Sequence, residues 1–295
     1  MSRSEHLLAV DNLSQSLSSV RLLDVRWRLG DGPGEGRQRY AEGHLPGARY
    51  LDLESVLTAH TGDPLDGRHP LPDIATLTAG LEEVGVEVDD DVVVYDEPGS
   101  FAAERAWWVL RWAGLRPRVL DGGLSAWVEA GLPLEAGLAP DVAASTPGRA
   151  SRLDLSVGHL PTIDVDQAAA FPERGTLIDA RGEERYRGEM EPIDPRPGHI
   201  PGAVNVPATE LYENGRMPSD DRLRELFESA VSSPGTRSAD ADPAVAAYCG
   251  SGVSAARDIL ALAVLGADTA LFPGSWSAWS NDPRRPAARG RPAGG

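Results

Sequence analysis

The chain has 295 residues, and its 45 acidic side chains outnumber its 28 basic ones to give a formal net charge of −17. That length suits two ordinary domains, and so acidic a balance argues against a nucleic-acid partner, which requires an extended basic surface. Every one of the 28 basic side chains is an arginine, which excludes the lysine of a phosphate-binding P-loop and any Schiff-base lysine.

The apolar stretches of the chain are short. No run approaches the roughly 18 to 20 residues of a membrane span, and the first residues lack the apolar core of a secretory signal. We therefore expect a cytoplasmic protein without a membrane partner. Its single cysteine, Cys249, cannot form an internal disulfide or a cysteine-rich metal site, and we expect no metal and no organic cofactor.

In chain order, the pattern predicts short strands that alternate with helices. A strand is predicted at 21–26, a buried strand at 91–96, a helix with apolar residues at helical spacing at 104–114, and another strand at 117–123. The same series recurs in the second half of the chain, at 176–181, 244–249, 255–266 and 269–274. This alternation favours parallel pairing in an α/β sheet that helices cover on both faces.

Five features occur twice in the same order, with offsets of 152 to 155 residues. They are "LLDVR" with "LIDAR", "GHLPGA" with "GHIPGA", "VVVYD" with "VAAYC", the helix from Arg105 with that from Arg257, and "GGLSAW" with "GSWSAW". A period that long indicates two duplicated domains rather than a solenoid. The predicted fold class is therefore α/β, with two tandem domains that each contain a mainly parallel sheet flanked by helices.

The composition also places the domain boundaries. We predict an N-terminal domain at 1–130, a linker rich in Ala, Pro, Gly and Ser at 131–160, a C-terminal domain at 161–283 and a disordered tail at 284–295. We expect the two domains to pack face to face, with the first lending one wall to the site. In such folds the site lies beyond the carboxyl ends of the strands, where Cys249 is predicted to lie.

The stretch "CGSGVSA" at 249–255 would connect a strand to a helix. Gly250 and Gly252 permit backbone conformations closed to other residues, so the amides from Gly250 to Ser254, including that of Val253, can curl inward around the sulfur. With the partial positive charge of the helix N-terminus, such a cradle stabilises a thiolate or an anion bound to it. The alternative is a cysteine that only fills apolar space, but a glycine-flanked strand end is a poor place for a packing residue.

Comparison of the two copies sharpens this interpretation. The first copy has "YDEPGSFAAER" where the second has "YCGSGVSAAR", so Asp96 stands in the place of Cys249 and the loop is one residue longer. An aspartate cannot act as a thiolate nucleophile. We therefore predict that only the C-terminal copy is catalytic.

These motifs resemble those of the rhodanese family of sulfurtransferases, specifically its tandem type with an inactive N-terminal and an active C-terminal domain. The resemblance covers about residues 20 to 280 and rests on "LIDAR", "ERYRG", "GHIPGAVNVP", "CGSGVSA" and "GSWSAW" in that order. It implies that Cys249 takes a sulfur atom from a small anionic donor, becomes a persulfide and passes the sulfur to cyanide or a thiol. A thioredoxin-like protein is one possible acceptor.

The resemblance also implies which residues bind the donor. A loop without a cation after the cysteine is similar to that of 3-mercaptopyruvate sulfurtransferases, whereas thiosulfate enzymes carry basic residues there. Arg185 in "ERYRG" matches the family's substrate arginine, and Arg196 is the nearest candidate for its second arginine, in a segment two residues shorter than the family's. The planar guanidinium of arginine can hold a carboxylate through two hydrogen bonds.

A set of proton-handling residues is also implied. Ser251 could hydrogen-bond the sulfur or the donor's carbonyl group. The family places a histidine and a carboxylate of the N-terminal domain in the same relay, and His69 in "GRHPLP" and Glu54 in "LDLES" occupy the matching positions. Glu54 departs from the family pattern, which has aspartate there.

Residues that occur in both copies, including the copy without a thiol, cannot owe their presence to the chemistry. We interpret six of them as structural: His44, His199, Asp24, Asp179, Trp127 and Trp279.

Two other functions are weighed against sulfur transfer. A cysteine phosphatase requires an arginine six residues after the cysteine, but Ala255 stands there and Arg257 lies two residues further on, which makes that reaction improbable. A sulfur-relay or interaction module that delivers sulfur to a partner protein shares the persulfide, so the loop leaves that alternative open.

Overall fold

A computed structural model describes residues 2–139, 153–228 and 243–290. Their contacts divide the chain into two units. One unit contains residues 4–59, 71–139 and 153–159, and the other contains residues 2–3, 60–70, 160–228 and 243–290. None of the described helices is long and apolar enough to cross a membrane.

The first unit contains a five-stranded parallel sheet of order β1-β5-β4-β2-β3. Its strands are β1 (Leu7–Leu8), β2 (Arg21–Asp24), β3 (Arg49–Tyr50), β4 (Val92–Tyr95) and β5 (Arg118–Leu120). Its helices are α1 (Val10–Ser16), α2 (Glu35–Glu42), α3 (Leu53–Val56), α4 (Ile74–Glu83), α5 (Ala102–Trp112) and α6 (Gly123–Glu129).

The second unit contains a four-stranded parallel sheet of order β7-β6-β8-β9. Its strands are β6 (Thr176–Asp179), β7 (Val204–Asn205), β8 (Val245–Tyr248) and β9 (Thr269–Leu271). Its helices are α7 (Val165–Ala170), α8 (Glu183–Arg187), α9 (Asp220–Glu228), α10 (Ala255–Val264) and α11 (Ser275–Asn281).

The two sheets confirm the predicted α/β class and the duplication. The order β3-β2-β4-β5 of the first sheet is repeated as β7-β6-β8-β9 in the second, and β2 and β6 pair in equivalent register with β4 and β8. All four residues of β4 and of β8 are buried. A strand buried on both faces is the expected result of helices covering both sides of a parallel sheet.

The shared residues predicted to be structural make equivalent contacts in both units. The Asp24 carboxylate accepts from Arg26 Nε at 2.9 Å, and the Asp179 carboxylate accepts from Arg181 Nε at 3.0 Å. All four side chains are buried. Each ion pair lies where the strand β2 or β6 ends and fixes the backbone that follows it.

The paired histidines and tryptophans are structural as well. His44 and His199 bond through Nδ1 to the carbonyls of Tyr40 and Tyr186 and stack on those tyrosine rings, with centroids 3.9 Å apart. The indole nitrogens of the tryptophans that end "GGLSAW" and "GSWSAW" each donate to a proline carbonyl at 2.8 Å. These contacts confirm the structural interpretation, because both units make them.

The observed contacts differ from two of the predicted domain boundaries. Residues 60–70 lie within the predicted N-terminal domain but belong to the second unit. Gly67 explains this close approach, since a Cβ built on it would lie 2.5 Å from the carbonyl oxygen of Gly274. The tail predicted to be disordered from residue 284 is paired as far as Ala288, which exchanges two backbone hydrogen bonds with His199. Residues 140–152 of the predicted linker and 291–295 of the tail lie outside the described residues.

Replacement of Arg26 by Met is expected to lower the free energy of unfolding by about 3–5 kcal/mol, because it leaves the Asp24 carboxylate buried without its cation. Urea denaturation measures this loss. The double variant Arg26→Met/Asp24→Leu should recover part of the stability, and a double variant no more stable than the single one would contradict this account.

Candidate active site

Cys249 lies at the carboxyl end of β8, as the sequence predicts, and α10 begins six residues later at Ala255. The cysteine is free and 1% exposed. The loop between them carries five of the predicted site residues: Gly250, Ser251, Gly252, Val253 and Ser254. The thiol is therefore held inside the loop rather than displayed on the surface.

The loop aims a backbone dipole at the sulfur. The N–H of Gly252 donates to Cys249 Sγ at an N···S distance of 3.1 Å. Gly252 has φ +80°, a left-handed conformation that glycine adopts without steric cost. The carbonyls of Cys249 and Gly250 accept from the backbone N–H groups of Trp276 and Ser277 at 2.9 Å. The negative ends of these two peptide dipoles are thus bonded to α11.

Ser275, the first residue of α11, supports the loop. Sequence reasoning missed this residue. Its hydroxyl accepts from the backbone N–H of Cys249 at 3.1 Å and donates to the Phe272 carbonyl at 2.9 Å. Ser275 has φ +54°, whereas Gly123 occupies the equivalent position of the first unit at φ +52°. A serine in this conformation costs about 1–3 kcal/mol. The one detectable signal was the Gly-to-Ser difference between "GGLSAW" and "GSWSAW".

Asp258 is a second residue that the sequence analysis missed. It lies in the first turn of α10 and is fully buried, and neither carboxyl oxygen has a hydrogen-bond partner among the described residues. Burial, reinforced by the Cys249 sulfur, raises the pKa of Asp258 well above its ordinary value. Burial thus favours the protonated carboxylic acid, a form that adds no negative charge opposite a thiolate.

Two arginines lie beside Gly250, the residue that follows Cys249. A Cβ built on Gly250 would lie 3.1 Å from Arg68 Nη2 and 3.4 Å from Arg185 Nη1. Arg185 was predicted here, on α8. Arg68 comes from the 60–70 segment, which Ser277 fixes by accepting the Arg68 backbone N–H at 3.1 Å. The motif "GRHPLP" pointed only to its histidine, so Arg68 was not predicted.

Buried carboxylates neutralise these arginines. Arg185 Nη2 donates to Glu191 Oε1 at 2.7 Å and to Asp194 Oδ2 at 3.0 Å. Arg68 Nη1 donates to the other oxygen of Asp194. The side chains of Glu191 and Asp194 are 2% and 1% exposed, so the two arginines, which stay partly exposed themselves, are held by carboxylates that are shielded from water.

Arg196, predicted as the second substrate arginine, is engaged elsewhere. Its guanidinium donates to four backbone carbonyls at 2.7–2.9 Å, those of Trp279, Ser280, Asp282 and Arg285. The last carbonyls of a helix have no partner within the helix, so Arg196 caps α11. These contacts favour a structural role, and Arg68 takes the place beside the loop that was expected for Arg196.

The other predicted residues lie in different parts of the chain. Ser251 and Val253 are buried in the loop, and Ser254 precedes the first residue of α10. His69 is buried and belongs to the second unit, next to Arg68. Glu54 is half-buried on α3 of the other unit. The roles of Ser251, His69 and Glu54 in proton transfer stay predictions.

The first unit holds a carboxylate where the second holds the thiol. Asp96 follows β4, and its Oδ2 accepts from the backbone N–H of Ala103 in the first turn of α5 at 3.0 Å. The next residue is Glu97, which accepts from Arg39 Nε at 2.8 Å. The loop of the non-thiol copy thus carries two anions of its own.

Arg39 is the counterpart of Arg185. Each precedes the tyrosine that stacks on the shared histidine, and the hydroxyls of those two tyrosines donate to equivalent carbonyls, of Ala48 and Ala203. In the first unit the carboxylate of Glu97 binds this arginine, whereas in the second unit Gly250 carries no side chain and Arg185 is held by Glu191 and Asp194. A ligand carboxylate at this place would therefore compete with those two carboxylates.

Among the described residues no group of three or more His, Cys, Asp or Glu side chains is placed to hold a metal ion.

Comparisons with known proteins agree with this geometry. A family model described as the rhodanese-like domain matches residues 9–130 and 164–282. The chain is 46% identical over 281 residues to a Mycobacterium tuberculosis protein provisionally named thiosulfate sulfurtransferase SseB, and the match covers 94% of this chain and 93% of that protein. It is 42% identical over 297 residues to a Pseudomonas aeruginosa protein provisionally named 3-mercaptopyruvate sulfurtransferase, with 97% and 99% covered.

A solved structure gives the same likeness. SseA of Escherichia coli, described as a 3-mercaptopyruvate sulfotransferase with the rhodanese fold, has a TM-score of 0.75 and 33% identity to this chain. That likeness covers 92% of this chain and 98% of SseA.

The buried acid on α10 has a measurable consequence. Since the native state keeps a proton on Asp258 that the unfolded chain releases above about pH 4, stability should fall as the pH rises, by up to about 1.4 kcal/mol per pH unit. The Asp258→Asn variant, which has no such proton, should lose less stability over the same range. Urea denaturation at a series of pH values gives both slopes, and equal slopes would contradict the assignment.

Proposed function

This chain belongs to the rhodanese family of tandem-domain sulfurtransferases, and on that premise we propose that it transfers a sulfane sulfur from 3-mercaptopyruvate to a thiophilic acceptor through a persulfide on Cys249. The observation that carries the proposal is the hydrogen bond from the Gly252 N–H to Cys249 Sγ at 3.1 Å. An amide held against the sulfur stabilises negative charge on Sγ, which the thiolate bears, and the other amides of the same loop would serve the outer sulfur, on which a persulfide carries its charge.

The first half-reaction forms the persulfide. The thiolate of Cys249 attacks the sulfur of 3-mercaptopyruvate, a sulfur–sulfur bond forms, and the carbon–sulfur bond breaks. The electron pair of that bond passes to carbon, which leaves as the enolate of pyruvate and is protonated to pyruvate. Ser251 and His69 are the candidate proton carriers, because both are buried residues of the second unit.

The second half-reaction returns the enzyme to its starting state. An acceptor such as cyanide or a thiolate attacks the outer sulfur and the sulfur–sulfur bond breaks. Its electron pair returns to Cys249 as the thiolate, and the acceptor leaves as thiocyanate or a persulfide. A chain with a single cysteine has no resolving thiol, which suits a sulfur carrier better than a dithiol redox enzyme.

Two features favour 3-mercaptopyruvate as the donor. Its carboxylate matches Arg68 and Arg185, which lie beside Gly250, because a guanidinium binds a carboxylate in a planar, two-bond geometry. In the first unit the carboxylate of Glu97 occupies this position against Arg39. Thiosulfate is the competing donor. Thiosulfate enzymes carry a cation in this loop, and here Arg68 supplies one from outside the loop. The relatives are also named for both donors.

A sulfur relay to a partner protein is the second candidate, because it would use the same persulfide. It differs in its acceptor. Turnover of 3-mercaptopyruvate with cyanide or a small thiol supports the enzyme, whereas turnover that begins only when a protein acceptor such as a thioredoxin is added supports the relay.

Incubation of the protein with 3-mercaptopyruvate should add the mass of one sulfur atom, seen by intact-mass spectrometry, and thiosulfate at the same concentration should add less. Cys249→Ser should gain no sulfur from either donor while it keeps the wild-type unfolding midpoint. Sulfur loading of the serine variant, or none of the wild type, would contradict the proposed reaction.

Replacement of Arg185 by Met should raise the KM for 3-mercaptopyruvate by about 10- to 100-fold, which corresponds to the loss of a hydrogen bond to a charged group. Steady-state kinetics measure the effect. Arg39→Met is the matched control, because Arg39 occupies the equivalent position in the first unit and is buried to a similar extent. The assignment is wrong if both variants change KM equally.

A further inference from the structure

Asp194 occupies the place where the donor's carboxylate would bind. One of its oxygens accepts from Arg185 Nη2 at 3.0 Å and the other from Arg68 Nη1. These are the two arginines whose guanidinium nitrogens lie beside Gly250, the residue that follows the cysteine. A carboxylate of this chain thus already bridges the pair of cations that an anionic donor needs.

Glu191 touches the same cluster but is fixed more firmly. Its carboxylate accepts from Arg181 Nη1 at 3.3 Å and from Arg185 Nε at 3.2 Å and Nη2 at 2.7 Å. The backbone N–H groups of Ile193 and Asp194 add bonds of 3.2 and 3.1 Å. Within the described part of the chain, the Asp194 carboxylate accepts hydrogen bonds from Arg68 and Arg185 alone, so Asp194 is the carboxylate that a ligand can replace.

The charges of the cluster balance before any ligand arrives. Three arginines, Arg68, Arg181 and Arg185, face three carboxylates, Asp179, Glu191 and Asp194, in one network of ion pairs. An incoming anion would add a negative charge in a place that water hardly reaches. Such a charge is costly unless another group is neutralised at the same time.

Asp194 is the group best placed to be neutralised. Its side chain is 1% exposed, and burial raises the pKa of Asp194 even while Arg68 and Arg185 oppose that change. Once a ligand takes over those two cations, the opposing effect is gone and burial next to Glu191 remains. The carboxylate would then bind a proton from the solvent.

We propose that Asp194 is an internal counter-anion that the carboxylate of the donor displaces from Arg68 and Arg185, and that Asp194 takes up a proton as the donor binds. The inference rests on the proposed function for the identity of the ligand. Donor binding should then weaken as the pH rises, because each binding event consumes a proton. Asp194 thereby acts as a positioning residue, which keeps the two arginines together until the donor arrives.

Pyruvate is a suitable probe, since it has the carboxylate and carbonyl of the donor but no sulfur to transfer. Binding to the full chain carrying Cys249→Ser, which removes the titrating thiol, would be measured by isothermal titration calorimetry. Two buffers of different ionisation enthalpy then report the number of protons taken up per pyruvate bound. The measurements would be repeated at a series of pH values above about pH 4, the ordinary pKa of an aspartate, because burial raises the pKa of Asp194.

We expect the Cys249→Ser protein to take up as much as one proton per pyruvate and its Kd to rise by up to about tenfold per pH unit at the alkaline end. With Asp194→Asn added, proton uptake should disappear and the Kd should become nearly independent of pH. If Asp194 acted only through its negative charge, the asparagine variant would bind pyruvate more tightly but would still take up a proton on binding. Any contribution of His69, the buried neighbour of Arg68, would appear in both proteins and drop out of the comparison.

Asp31→Asn is the matched control. Asp31 accepts from Arg39, the counterpart of Arg185, at 2.7 Å in the first unit. Burial tends to raise the pKa of Asp31, but the hydrogen bonds from Arg39 and the Arg28 backbone, together with the charge of Arg39, outweigh burial, so its pKa is lowered. This variant should leave both proton uptake and the Kd of pyruvate unchanged.

Equal proton uptake with aspartate and with asparagine at position 194, or none with either, would overturn the inference. So would failure of pyruvate to bind. The proposed function is tested separately by sulfur loading of the wild type: a protein that gains sulfur but binds pyruvate without a proton refutes only the role of Asp194, whereas one that gains none refutes the reaction itself.

Discussion

The candidate site of the second unit depends on one contact, the peptide N–H of Gly252 held against the sulfur of Cys249. A helix N-terminus carries partial positive charge on its free backbone N–H groups, and the loop between β8 and α10 lies at such a terminus. Ser275 accepts the backbone N–H of Cys249, and α11 takes the carbonyls of Cys249 and Gly250. These contacts fix the loop in the conformation that points the Gly252 N–H at the sulfur.

The duplicated unit offers an internal comparison for the same arrangement. Its loop begins with Asp96, whose carboxylate is bonded to an amide in the first turn of α5. Glu97 then satisfies the arginine that corresponds to Arg185. In both copies a backbone N–H of the loop or helix is thus bonded to the side chain that follows the strand. Where the first copy presents two carboxylates of its own loop, the second presents a thiol and a glycine.

Much of this could be predicted from the sequence because it is encoded locally. Strand, loop and helix around Cys249 follow from apolar runs and glycines that are neighbours in the chain. The repeat identified structural residues without any structure, since His44 and His199 could be compared directly. Arg185 was predicted from the resemblance of a short motif to the family's, and the structure places its guanidinium beside Gly250.

The features that sequence reasoning missed depend on contacts between distant segments. Arg68 reaches the loop because the 60–70 segment packs on the second unit, which no local pattern indicates. Asp258 lies on a helix whose period would also suit an apolar residue there, and only burial marks it as unusual. Arg196 was expected at the substrate because of its position in the chain, but the carbonyls at the end of α11 engage it.

A crystal structure of the protein loaded with 3-mercaptopyruvate, with the persulfide on Cys249 resolved, tests the central claim most directly. The account predicts that the outer sulfur lies within hydrogen-bond distance of backbone N–H groups of the loop between β8 and α10. An outer sulfur packed among apolar side chains, with those amides bonded to carbonyls instead, would contradict it.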